Sequence, residues 1–315
     1  MAKKVDCRIP PRIFIVNKPR GITSGDVLSH FKYNLPRGYG KIGHFGTLDP
    51  FAEGILLIAV GQAARLNFLF SDLLTKTYHA NGVFNISSTT GDSEGELSSP
   101  ENKEIPDIKL LVKTFDSMKG KYLQVPPHYS AVKFEGKALY KYAREGILID
   151  KPPVERFIYQ VNDINLLENY KKIEFTVEVS SGTYIRTLFE DFCHRLGLVG
   201  HLDYLKRISI GKISHEKALN QGDWPSRGDD FDIIQKSFCP RQFFPFYDWC
   251  VDEQTLYRIE NGQRILVDQS GIQHDLSQDN FCWVSNDKKE LRALCQILDG
   301  VISPKIIFPN ISTTI

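Results

Sequence analysis

Apolar residues recur along this chain in short runs of two different periods, and most runs are closed by a turn signal. Ile13-Phe14-Ile15-Val16 is an unbroken apolar run of strand length, and Pro19, which cannot donate to a ladder, ends it. Thr23 or Ser24 then offers an N-cap to a helix carrying Val27, Leu28 and Phe31. Residues 38–50 read GYGKIGHFGTLDP and predict a loop, because Gly38, Gly40, Gly43 and Gly46 reach conformations closed to other residues and Pro50 closes the segment. A buried strand is predicted over 55–60, and a second over 76–86 with Lys76, Tyr78, Ala80 and Gly82 on one face. The polar stretch 87–103 predicts a loop, 106–118 a helix, and 124–146 a proline-bearing loop followed by a helix with Leu139, Tyr142 and Ala143 at helical spacing. Strand patterns recur at 156–167, 172–180 and 203–212, with a helix from about 184 to 196. Strands and helices mix without a βαβ repeat, so the predicted class is α+β with a largely antiparallel sheet.

The polar, acidic stretch QGDWPSRGDDFD at 221–232 breaks this pattern and places a boundary between there and Pro245. The division expected is a large body over 1–240 and a small β-rich module over 246–315, too short to be an enzyme alone. With 42% hydrophobic and 24% charged residues, the chain can bury a substantial core and is not of the disordered class. Its six cysteines show no CxxC pair and no zinc-ligand spacing, which fits reduced thiols in the cytoplasm. The basic start MAKKVDCRIPPRIFIVNKP lacks an apolar h-region, and the run 54–60 is far too short to span a bilayer, so neither export nor insertion is predicted.

The formal net charge of +1 conceals an uneven distribution. Residues 1–44 hold Lys3, Lys4, Arg8, Arg12, Lys18, Arg20, Lys32, Arg37 and Lys41 against Asp6 and Asp26, while 92–107 carry six acids against Lys103. A near-neutral chain of this kind can present one basic face.

Candidate chemistry centres on GHFGTLDPFAEG, where Asp49 stands between a glycine-rich loop and a proline. A rigid turn there can aim a carboxylate into a cleft as nucleophile or charge stabiliser, although most Asp-Pro pairs simply start turns. The wider pattern is more specific. His44-Phe45-Gly46-Thr47-Leu48-Asp49-Pro50-Phe51-Ala52-Glu53-Gly54 resembles the HxGxLDPxAxG loop of the tRNA pseudouridine synthase B family. Further segments resemble that family in order: Lys18-Pro19-Arg20-Gly21-Ile22-Thr23-Ser24, Lys76-Thr77-Tyr78, Pro126-Pro127-His128-Tyr129-Ser130-Ala131, Gly182-Thr183-Tyr184-Ile185-Arg186-Thr187-Leu188 and Leu205-Lys206-Arg207. The resemblance covers roughly residues 12–215 and implies a pseudouridine-synthase-type sheet core. The tail segments 251–263 and 304–308 resemble a PUA-type RNA-binding module, while 265–292 match it poorly.

The resemblance implies that Asp49 is the catalytic carboxylate, that Tyr78 stacks on a flipped-out uracil, and that Arg186 pairs with Asp49. Asp92 would position that arginine, His44 would contact RNA beside the flipped base, and Leu205 would line the uracil pocket. Lys18, Lys133 and Arg207 are candidates for phosphate or sugar contacts or for structural support. One departure stands out: Thr89 occupies a position where the family often has an acid. The implied substrate is uridine 55 in the T arm of tRNA, recognised mainly by shape. No metal or nucleotide cofactor is implied, no membrane is involved, and a monomer is expected. Action on another RNA, or a tRNA-folding chaperone role with incidental catalysis, are the competing readings.

Overall fold

Residues 9–36, 38–99, 102–168, 171–228, 230–272 and 280–308 are described by the computed structural model. Lys3, Lys4, Asp6, Cys7, Arg8, Arg37 and Glu101 lie outside them. The strands of the main body's large sheet are β1 (Arg12–Lys18), β2 (Ile42–Phe45), β3 (Glu53–Val60), β4 (Lys76–Phe84), β5 (Gly120–Gln124), β6 (Val154–Leu167), β7 (Lys172–Val179), β8 (Gly200–Ile210) and β9 (Ile213–Ser214). They form one sheet in the order β1-β3-β8-β4-β7-β6-β5, with β2 also on β3 and β9 on β8. Its α-helices of six residues or more are α1 (Ser24–Asn34), α2 (Asn67–Asp72), α3 (Ile108–Ser117), α4 (Leu139–Arg144) and α5 (Ile185–Arg195). Only β3 and β8 run parallel in this sheet, as the α+β reading with a largely antiparallel sheet expects.

The apolar runs of β1 and β3 are unbroken because both faces of this part of the sheet are covered. Ile13, Ile15, Ile55, Leu57 and Ala59 face a cluster that includes α2 and the tail, whereas Phe14, Val16, Leu56, Ile58 and Val60 face α1, Trp224 and Ile233. Farther along, α3 and α5 cover β4, β7 and β6 through Phe115, Phe175, Phe189 and Phe192. Burying each such ring contributes roughly 1.5–3 kcal/mol.

One edge of β3 pairs with β1 along its length, while the other is shared. There β2 takes residues 57–60 and β8 takes only 53 and 54, which leaves a notch at 55 and 56. Arg207 fills the notch, its Nε donating to the Ile55 carbonyl at 2.7 Å. Gly54 sits at the crossing with φ +107°, and a Cβ there would lie 2.3 Å from the Arg207 carbonyl oxygen, so no other residue fits.

In the tail, β10 (Tyr247–Cys250), α6 (Glu253–Glu260), β11 (Ile265–Leu266), β12 (Phe281–Ser285), β13 (Leu291–Leu298) and β14 (Val301–Ile307) build a separate sheet in the order β10-β12-β13-β14-β11. It packs on the main body through aromatic residues. Trp283, 1% exposed, donates its indole N–H to the Phe244 carbonyl at 3.0 Å; Phe244 meets Phe70 edge-on at 4.9 Å, and Phe70 stacks on Phe45 at 4.6 Å.

Three elements differ from expectation. The glycine-rich loop 38–50 contains β2, whose pairing with β3 overrides the local glycine preference. Residues 87–103 hold a two-residue ladder, Ser87–Ser88 against Leu97–Ser98. No strand is predicted over 120–124, because β5 buries Gln124 and exposes Leu123, reversing the usual polarity of alternation.

Candidate active site

Asp49 sits in the turn that links β2 to β3, and the segment after β1 holds that turn from below. The Ser24 hydroxyl accepts from the Leu48 N–H at 2.9 Å and donates to the Leu48 carbonyl at 3.0 Å, satisfying both backbone groups of the residue before Asp49. Gly21 N–H donates to the Pro50 carbonyl at 2.8 Å. Lys18, fully buried, aims its ammonium at the carbonyls of Ile22 (2.8 Å), Pro19 (2.9 Å) and Pro50 (3.4 Å). Burial pushes the Lys18 ammonium down to about 8, against the opposing pull of Asp49. Thr23 is the N-cap of α1, with a reciprocal capping box to Asp26, which leaves Ser24 for the loop. The KPRGITS segment is thus a clip on the Asp49 turn.

Arg186, on the first turn of α5, reaches the same carboxylate. Its Nε and Nη2 each stand 2.9 Å from Asp49 Oδ2. The guanidinium also donates to the Thr90 carbonyl and, at 3.0 Å, to the Tyr129 carbonyl, and its Nη1 lies 3.5 Å from Asp92 Oδ2. The Arg186 side chain is 4% exposed and that of Asp92 6%, whereas Asp49 keeps 31%. One buried cation therefore orients a carboxylate that solvent can reach. Asp92 is fixed in turn: its Oδ1 accepts from Thr90 Oγ1 at 2.6 Å and from Glu94 N–H at 3.0 Å. Thr89 faces other work, its hydroxyl accepting from Glu96 N–H at 3.0 Å within the 88–97 turn.

Tyr78 lies on β4 opposite Arg207 of β8, and it shares one apolar cluster with Leu48, Phe51, Ile185 and Leu205. Its hydroxyl stands 3.5 Å from Arg207 Nη1, while Arg207 Nη2 donates to the Gly46 carbonyl at 2.8 Å. His44 projects from β2; burial, aided by the charge of Arg207, lowers its ring below the ordinary histidine range, and its Nδ1 is buried without a partner among the described residues. Lys18 and Arg207, candidates for phosphate or sugar contact, are instead 0% and 1% exposed and occupied with backbone carbonyls, so their observed contacts are structural. Lys133 is exposed.

The sequence offers Ser24 as a possible cap and as the end of the Lys18–Ser24 segment, without its bonds to Leu48, and gives no part to Glu190. The Glu190 carboxyl, one turn beyond Arg186 on α5, packs against Gly91, where a Cβ would come within 3.0 Å of Glu190 Oε1 and 3.2 Å of Arg186 Cβ. Burial pushes Glu190 up to about 7, with Arg186 opposing and Asp191 and Asp92 adding to the rise. Its spacing of four from Arg186 is the signal that could have found it. No group of three or more metal-ligating side chains occurs among the described residues, and no helix there is long and apolar enough to cross a membrane.

The model of the TruB family pseudouridylate synthase (N terminal domain) matches residues 34–185. The chain is 40% identical over 289 residues to the tRNA pseudouridine synthase B of Aster yellows witches'-broom phytoplasma, covering 91% of this chain and 95% of that protein. It is also 40% identical over 205 residues to the enzyme of that name from Thermosipho melanesiensis, a match that spans 64% of this chain and 65% of the relative's length. Among solved structures, a chain of an H/ACA RNP bound to a substrate RNA containing 2′-deoxyuridine superposes with TM-score 0.66 at 18% identity, over 96% of this chain and 86% of that one. That likeness establishes the fold, the α+β architecture of pseudouridine synthase type with a β-rich C-terminal sheet.

Proposed function

The chain belongs to the TruB family of pseudouridylate synthases, and we propose that it isomerises uridine 55 in the T arm of tRNA to pseudouridine with Asp49 as its catalytic carboxylate. The observation that carries this reading is the Asp49–Arg186 pair, a solvent-reachable carboxylate held at 2.9 Å by a buried guanidinium in a turn clipped on three sides. The isomerisation breaks the C1′–N1 bond, rotates the uracil, joins C1′ to C5 and moves the C5 proton to N1. It needs no oxidant or reductant. What it needs is one correctly aimed carboxylate, to capture C1′ or the base or to remove a sugar proton, and a surface that holds the detached base. Tyr78 and Leu205 supply that surface in this reading, since stacking on an aromatic ring offsets roughly 1–3 kcal/mol of the cost of extruding the base. Asp92 fixes the guanidinium that fixes Asp49, and His44 contributes a neutral ring beside the entering nucleotide. The sheet over 247–307 takes the part of a PUA-like RNA-binding module.

The test incubates the purified protein with unmodified tRNA transcript and maps pseudouridine by base-specific chemical tagging, with Asp49→Asn as control. Product at position 55 that vanishes in the variant is the expected result. Product at another nucleotide would overturn the T-arm assignment, and an equally active Asp49→Asn would overturn the role of Asp49.

A further inference from the structure

A cavity of about 710 Å³ contains none of the groups of the candidate active site. It opens at the far end of α1 and is lined by Lys32, Tyr33, Gly38, Tyr39, Gly40 and Arg227 together with two neutral residues. We infer that this cleft is a second RNA-binding site, which takes a single-stranded nucleotide by stacking its base on Tyr33 and pairing its phosphates with Lys32 and Arg227. The inference rests on the reading that RNA is the substrate.

Four observations carry it. First, the lining holds two cations and no acid, and neither cation forms an ion pair among the described residues, so the cleft selects for anions. Second, Tyr33 is 80% exposed, a large aromatic ring left in water beside those cations, the combination that single-stranded nucleic acid uses. Third, the site is built. Arg227 lies 195 residues after Lys32 in sequence, and the turn before it is fastened to α1. Trp224 packs edge-on to His30 at 5.4 Å and against Phe31 at 5.8 Å, and a His30 ring nitrogen bonds the Pro225 carbonyl at 3.0 Å. The Tyr39 hydroxyl donates to the Lys32 carbonyl at 2.8 Å, and Gly38 and Gly40, with φ +97° and +82°, leave the backbone without Cβ atoms where a ligand would approach. Fourth, the volume suits one nucleotide.

The helix dipole alone accounts for Lys32 in the last turn of α1, but not for Arg227 or the bare Tyr33. Tyr33 lies nine residues beyond Ser24, which clips the Asp49 turn, hence roughly 14 Å along the helix at 1.5 Å per residue. That is well under one turn of a nucleic-acid duplex, about 34 Å, so one RNA can occupy both places.

The experiment measures binding of unmodified tRNA transcript to the full-length protein across a KCl series, for wild type, Tyr33→Ala and the double variant Lys32→Gln/Arg227→Gln, each checked for wild-type circular dichroism. Tyr33→Ala is expected to weaken binding about tenfold. The double variant is expected to flatten the slope of log Kd against log[KCl] by about 1.4, at roughly 0.7 per phosphate of a single strand. Single-turnover pseudouridine formation at saturating RNA stays at the wild-type rate in both. Unchanged affinity and slope in both variants would overturn the inference. So would unchanged RNA binding with loss of binding to polyglutamate, which gives the cleft to an acidic protein partner. A wild type that binds tRNA but makes no pseudouridine defeats the proposed function while leaving these binding outcomes readable.

Discussion

The segment 42–50 has two sides of opposite chemistry. Toward α1 and α5, the Leu48–Pro50 turn is gripped by the Ser24 hydroxyl, the Lys18 ammonium and the Arg186 guanidinium, polar groups taken out of water. Toward the tail, Phe45 begins a file of rings that passes through Phe70 and Phe244 to Trp283. Dispersion and burial of rings are nondirectional and tolerate small shifts, whereas charge-assisted hydrogen bonds fail over fractions of an ångström. The aromatic side therefore sets how stable the segment is, and the polar side sets where Asp49 points. If that division holds, damage to one side should register in a different measurement from damage to the other.

The sharpest way to break the comparison is to disable each side separately. Arg186→Gln leaves Asp49 and the buried Asp92 without their shared cation, so the rate of pseudouridine formation is expected to fall roughly 10²-fold or more from lost orientation, with stability lowered by about 3–5 kcal/mol. Trp283→Ala removes a comparable 3–5 kcal/mol by opening a cavity in the seam. Its single-turnover rate, measured below its own melting temperature, should remain within about twofold of wild type. Loss of rate in Trp283→Ala equal to that in Arg186→Gln would erase the distinction.

The two sides should also part company with pH. Glu190 titrates at about 7 in the fold against an ordinary 4.5, so across that window the folded chain keeps a proton that the unfolded chain has released. Stability contributed by this group is then full below pH 4.5 and declines as pH rises toward 7. Glu190→Gln removes the decline. Thermal melts should show the variant gaining on wild type between pH 5 and pH 8, by about 3 kcal/mol at most, while the deficit of Trp283→Ala stays constant over the same range. A Glu190→Gln curve parallel to wild type would show that its carboxyl is not the buried acid of this site.

Much of this arrangement was legible beforehand, for reasons that differ by residue. Asp49, Arg186 and Asp92 lie on three separate segments, and the family resemblance brought them to one place; propensity and periodicity could not. The strands β1, β3 and β4 were readable because burial on one or both faces writes itself as runs or alternation. β2 and β5 were not, since glycines and an inverted polarity concealed them until partner strands supplied the ladder. Lys18 and Arg207 were open to an RNA-contacting reading because a lysine or arginine carries no mark of burial in the sequence; only the carbonyls that surround each one disclose it.

The smallest expected effect tests the clip itself. Ser24→Ala strips both partners from Leu48, and leaving buried backbone groups unpaired costs roughly 1–3 kcal/mol. Thr23→Ala, one residue earlier, removes the cap of α1 at a similar cost, about 1 kcal/mol, without touching the loop. Both variants should therefore melt slightly below wild type. Only Ser24→Ala should slow the chemical step, by about tenfold, because only it frees the residue that precedes Asp49. Equal slowing in the two would mean that fraying of α1, rather than the Ser24–Leu48 bonds, controls the carboxylate. A slow Ser24→Ala beside a normal Thr23→Ala would assign the aim of Asp49 to a single hydroxyl.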